Sequence, residues 1–189
     1  MIKLDDYLSQ SLDALNDLKA ARLDEKADQA VTAIVTALRN QKPLLVCGNG
    51  GSAADAQHIA GELVGRFLKE RRAYNVIALS TDAAVSSAWS NDYQYETLLA
   101  RQVQAYGSQG AVLLAISTSG NSRNVVAAAE AARAIGMSVI SMTGRGGGTL
   151  ASLSDVLLDV PSTFTPMIQQ GHLSIYHFLC GAIESRMEE

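Results

Sequence analysis

Residues 44–55 read LLVCGNGGSAAD: four consecutive apolar residues, then Gly48-Asn49-Gly50-Gly51, then Ser52 and an alanine-rich stretch. An unbroken apolar run of this length, stopped by a glycine-rich turn and followed by helix-forming residues, predicts a strand buried on both faces that feeds a helix. Residues 111–122 repeat the pattern as AVLLAISTSGNS. Further short apolar runs stand at 76–79, 138–142 and 156–160, with helix-like stretches at 52–67 (capped by Ser52), 124–135 and from Thr165-Pro166 almost to the end. Two helical stretches, 4–23 and 24–41, precede the first strand. Strands alternating with helices predict an α/β fold, a doubly wound parallel sheet covered on both faces, whose ligands sit outside the carboxyl ends of the strands. One domain over 1–189 is expected, with a helical pair at 1–41 ahead of an α/β core at 42–189.

Composition narrows the function. Hydrophobic residues are 48 % and charged residues 18 % of the chain, and the formal net charge is -4. No basic cluster is present to face a phosphate backbone, so nucleic acid is not an expected partner. Neither a signal peptide nor a twenty-residue apolar span is evident, so no membrane partner is expected and the cytoplasm is the expected location. Cys47 and Cys180 lack metal-ligand or CxxC spacing and read as buried free thiols.

Two loops carry the chemistry. The 48–53 turn opens onto a helix amino terminus, where free N–H groups favour an anion or a hydroxyl-rich ligand. Gly48-x-Gly50-x-x-Ala53 also matches a dinucleotide fingerprint, but no acidic residue follows at the spacing a ribose requires. The 117–122 loop offers Ser117, Thr118, Ser119, Asn121 and Ser122 around Gly120, more hydroxyl and amide groups than capping one helix needs. A phosphate is the expected guest, because hydroxyls and helix N–H groups hold a dianion without much cationic charge. His58 and Glu62 stand at i and i+4, a pair able to ligate a metal or move a proton, or simply to meet in solvent. His172 and His177 lie in an otherwise apolar helix, where a histidine bonded to one carbonyl is the common arrangement.

The composite CGNGGSAADAQHIAGELVGRF, SNDYQYE, AISTSGNSRNV, MTGRGGG and PSTFTPMIQQGHLSIYH resembles the sugar isomerase (SIS) domain family, and within it the bacterial phosphoheptose isomerases. The resemblance implies a five-stranded, flavodoxin-like parallel sheet and a homotetramer with shared active sites, its two N-terminal helices used in packing. It implies an aldose–ketose isomerase that converts sedoheptulose 7-phosphate to a heptose 7-phosphate for surface polysaccharide such as lipopolysaccharide. Carried over by motif, Ser117, Thr118, Ser119 and Ser122 would hold the phosphate, and Asn49, Gly50, Gly51, Ser52, Arg66, Asn91, Asp92 and Gln169 would contact substrate. Glu62 and His177 would carry the proton transfers, and His58, Glu62, Gln169 and His177 would bind zinc. Gln170 stands where the family usually has Glu, and residues 72–75 lack the family's prolines.

One consequence is independent of the family. On a straight helix Gln169 and His177 lie about 12 Å apart. Either the helix is irregular, or the two residues serve one ion from different subunits. The rivals to the isomerase are a related non-enzymatic protein that binds the replication initiator DnaA, a phosphosugar sensor, and an NAD-dependent enzyme. The first is expected to lack the Glu62 and His177 counterparts that this chain has.

Overall fold

The computed structural model describes residues 3–79 and 81–188. Five parallel strands, β1 (Leu44–Cys47), β2 (Val76–Ala78), β3 (Val112–Ser117), β4 (Ser138–Thr143) and β5 (Val156–Asp159), form one sheet in the order β2-β1-β3-β4-β5. The direction of strand addition reverses between β1 and β3, which pair from Leu44↔Val112 to Cys47↔Ala115. A crevice opens at such a switch point, and here the 48–51 and 118–122 loops are its two lips.

Side chains alternate across the pleat and split the core. Leu44, Val46, Val112, Leu114 and Ile116 pack on one face with α2 (Asp24–Arg39), α3 (Gly51–Val64) and α7 (Thr165–Met187). Leu45, Cys47, Leu113 and Ala115 pack on the other with α5 (Leu98–Tyr106) and α6 (Arg123–Ala134). Both cysteines are buried and unpaired, and burial pushes each thiol up to about 12. No helix among the described residues is long and apolar enough to cross a membrane.

Several boundaries differ from the sequence reading. Ser52 does not cap α3: the cap is Gly50, at φ 53°, and Ser52 is buried within the first turn. A serine side chain that packs inward cannot also turn back to the helix end. That helix stops at Val64, not Phe67, because Arg71 takes its last carbonyls, donating to Glu62 O at 2.8 Å and Gly65 O at 2.7 Å. The stretch between β2 and β3 holds two helices that periodicity did not reveal, α4 (Ala83–Asp92) and α5. α4 buries none of its residues, so it has no apolar stripe to detect. The opening helix, α1 (Leu4–Ala20), presents Leu4, Leu8 and Leu12 at 72, 51 and 63 % exposure. Beside it, a groove of about 820 Å³ runs between α1, α2 and α7, lined in part by Leu18, Leu23, Val31 and Phe178.

His172 is fully buried and follows the common arrangement: Nε2–H donates to Thr143 O at 3.0 Å, and Nδ1 has no partner. Burial lowers its pKa to about 4, opposed by that single bond. Above pH 6.5 the ring is neutral in folded and unfolded chains alike, and its contribution to stability is complete. As pH falls from 6.5 toward 4 the unfolded chain takes up a proton that the folded chain refuses, so about 3 kcal/mol is lost. Urea titrations across this window are expected to show a steeper loss for the wild-type protein than for a His172→Gln variant. Parallel slopes would remove His172 from the account.

Candidate active site

The switch-point loops are joined by side chains. Asn49 and Asn124 form a reciprocal amide pair: Asn49 Nδ2 donates to Asn124 Oδ1 at 2.8 Å, and Asn124 Nδ2 donates to Asn49 Oδ1 at 2.7 Å. The Tyr95 hydroxyl also donates to Asn49 Oδ1, at 2.8 Å. Across the crevice, Ser117 Oγ lies 2.9 Å from Ser122 Oγ and 3.5 Å from Ser119 Oγ. The Ser119 hydroxyl accepts the Asn121 N–H at 3.1 Å, and Thr118 O accepts the Gly144 N–H at 3.0 Å. Four hydroxyl-bearing residues are thus gathered where α6 begins, with Ser122 as its N-cap. Gly120 makes the loop possible: its φ is +66°, and a Cβ there would run into the Gly147 carbonyl. Ser117 is buried, and Ser119 is exposed at the mouth.

A second cluster lies further along α3. His58 Nε2–H donates to Glu62 Oε1 at 2.9 Å, while His58 Nδ1 lies 2.9 Å from the Tyr176 hydroxyl oxygen. The His177 ring stands edge-on to His58 at 5.1 Å between centroids and stacks on Phe67 at 5.6 Å. Ligand atoms of His58, Glu62 and His177 all fall within 4.8 Å of one another. The solvent-facing i,i+4 contact is therefore too small a description, since a third side chain completes the group from α7. Tyr176 also faces Asp55, whose carboxyl burial raises against the opposing pull of His58 and the Tyr176 hydroxyl. Burial, then Asp55, lift the Tyr176 phenol to about 12, so it serves as a neutral hydroxyl.

Gln169 is not part of this group. α7 is one unbroken helix through Gln169 and His177, so the irregular helix envisaged above is not found. Gln169 lies against Gly51 at the start of α3, where an added Cβ would collide with its amide. Glu62 is eleven residues down α3 from Gly51, about 16 Å along the axis. Within one protomer, then, the hydroxyl cradle and the His–Glu–His group occupy different ends of α3.

Arg66 is exposed beyond the carboxyl end of α3, 3.8 Å from Glu70. Asn91 Nδ2 donates to Asp92 Oδ1 at 2.9 Å at the exposed end of α4, and neither reaches the cradle of its own chain by a hydrogen bond. Gln170 donates to the Tyr7 hydroxyl at 3.5 Å, tying α7 to α1. Asn124, Tyr95, Phe67 and Tyr176 escaped the sequence reading. Only Asn124 had a signal there, as an amide in the first turn after the hydroxyl loop.

The SIS domain family model matches residues 6–144. A phosphoheptose isomerase from Pelobacter propionicus is 46 % identical over 186 residues, 97 % of this chain and 98 % of its own. Another, from Helicobacter pylori strain P12, is 50 % identical over 162 residues, 86 % of this chain and 84 % of its own. The solved phosphoheptose isomerase GmhA from Neisseria gonorrhoeae superposes with a TM-score of 0.91 at 40 % identity, covering 96 % of this chain and 97 % of that one. A doubly wound sheet with one hydroxyl-rich lip at its switch point, a matching family model and near-full-length relatives lead to one conclusion: the chain belongs to the SIS domain family and, within it, to the phosphoheptose isomerases.

Proposed function

We propose that the chain is an aldose–ketose isomerase that converts sedoheptulose 7-phosphate to D-glycero-D-manno-heptose 7-phosphate, supplying heptose for surface polysaccharide from the cytoplasm. The observation that carries the chemistry is the convergence of His58, Glu62 and His177 within 4.8 Å from two helices. Moving a proton between adjacent carbons through an enediol needs a base at carbon and an acid at oxygen. Glu62 takes the base role and His177 the acid role, with Phe67 bracing the imidazole. Ser117, Thr118, Ser119 and Ser122 grip the phosphate, with Asn49, Gly50, Gly51 and Ser52 beside the sugar.

The group also suits zinc. Two imidazoles and a carboxylate are ordinary zinc donors. If His58 Nε2 turned to an ion, its ring proton would sit on Nδ1, where the Tyr176 oxygen can accept it. Zinc bound there would polarise a carbonyl oxygen. His58, Glu62 and His177 would hold it from one chain, and Gln169 from another.

The separation along α3 and α7 argues that a complete site takes residues from two copies. Arg66, Asn91 and Asp92 would then reach a neighbour's substrate, and the bare α1 leucines would supply the packing of a homotetramer. Replacing Leu8 and Leu12 together with Glu is expected to leave smaller species in sedimentation equilibrium and to lower kcat about a hundredfold or more. A fully active monomer would refute the shared site.

The test of the activity is incubation with sedoheptulose 7-phosphate and zinc, followed by NMR of the anomeric proton of the aldose. No turnover would instead favour a binding protein of the same fold.

A further inference from the structure

The orientation of the Asn49 amide is dictated by a backbone group two residues along a different helix. The Val125 N–H, which can only donate, bonds the side-chain oxygen of Asn124 at 3.0 Å. That fixes which end of the Asn124 amide is oxygen, so its nitrogen must be the group donating to Asn49 Oδ1 at 2.7 Å. The Tyr95 hydroxyl reinforces the same assignment at 2.8 Å. Asn49 Oδ1 therefore accepts twice, Asn49 Nδ2 spends one N–H on Asn124, and one N–H remains. Asn124 is 3 % exposed, whereas Asn49 is half-buried at the strand tips.

We propose that Asn124 is a positioning residue: through the Asn49 amide it makes the one side-chain group that the 48–51 loop offers a sugar phosphate an N–H donor. This deepens the sugar-phosphate reading above and rests on it. An asparagine left free could turn either end outward, and a carbonyl presented to a phosphate dianion repels it. The amide pair thus sets the polarity of the crevice on one lip while the serine hydroxyls set it on the other. It also ties the two lips together, because Asn49 and Asn124 belong to different loop–helix units.

Asn124→Asp is the informative substitution. The carboxylate still accepts from Val125 N–H and suits the first turn of α6, but it has no N–H for Asn49 Oδ1 and sets an oxygen against it in either orientation, so the reciprocal pair is broken and the Asn49 amide loses its fixed place. Calorimetric titration with sedoheptulose 7-phosphate is expected to show binding weakened about tenfold with an unchanged thermal midpoint. In an Asn49→Ala background the same substitution is expected to cost no more than about a third of that, the remainder being carboxylate–phosphate repulsion. Equal losses in both backgrounds, or no loss in either, overturn the proposal. A wild-type chain that binds the sugar phosphate without turning it over sinks the isomerase reading alone. One that does not bind it sinks both.

Discussion

Glu62→Gln is expected to lower kcat by about 10³-fold while sedoheptulose 7-phosphate still binds within about twofold of wild type. The amide fills the same space and its Oε1 can keep the 2.9 Å bond from His58 Nε2–H, so the helix face stays in place. What disappears is the basicity that takes a proton from carbon, a contribution worth about 10²–10⁴ in comparable catalysis. Binding is expected to survive because the proposed phosphate grip lies in the 117–122 loop and not at α3's far end. The check pairs NMR turnover, with zinc in excess, and calorimetry on the same preparation. Parallel losses in rate and affinity would mean that Glu62 holds substrate instead of reacting with it.

The largest effect on stability is expected from Glu184→Ala. Glu184 is 1 % exposed, yet charged. Its Oε1 accepts the Phe67 N–H at 2.9 Å, and its Oε2 accepts those of Leu68 at 2.8 Å and Lys69 at 3.2 Å. Arg71 adds a contact of 2.9 Å and lies 4.1 Å over the Tyr74 ring. Burial by itself would raise this carboxyl, but the Phe67 and Leu68 N–H groups and Arg71 hold it below its ordinary value. Alanine strands a buried guanidinium and three backbone donors, which costs about 3–5 kcal/mol. Urea unfolding measures it, and a loss under about 1 kcal/mol would show that the 65–71 turn holds itself. Because Phe67 lies in that turn and stacks on His177, the surviving folded fraction is also expected to turn over slowly.

β1 and β3 were the most legible strands because they are buried throughout and so read as unbroken apolar runs stopped by glycine-bearing turns. α4 was not, since a helix resting on the surface with no buried residue leaves no periodic trace. The 117–122 loop, the proposed phosphate grip, announced itself by a surplus of hydroxyls. The His58–Glu62 pair was visible as a spacing, but its third member, His177, was joined to it only through the family resemblance, because packing of α3 against α7 is a tertiary fact that no local pattern encodes. Phe67 and Glu184 were silent for the same reason. Each works through a partner far away in the chain, and in a linear reading each is an ordinary residue on an ordinary helix.

α7 runs without interruption from Gln169, against the start of α3, past His177, to Glu184, which closes the turn beyond α3's end. Each residue of a helix adds about 1.5 Å and 100° of rotation. One extra residue between 170 and 176 would swing either the imidazole or the glutamine out of alignment, whichever end yielded. That segment can therefore drift in composition but not in length, and an insertion would reset the reach and phase of every functional group downstream at once.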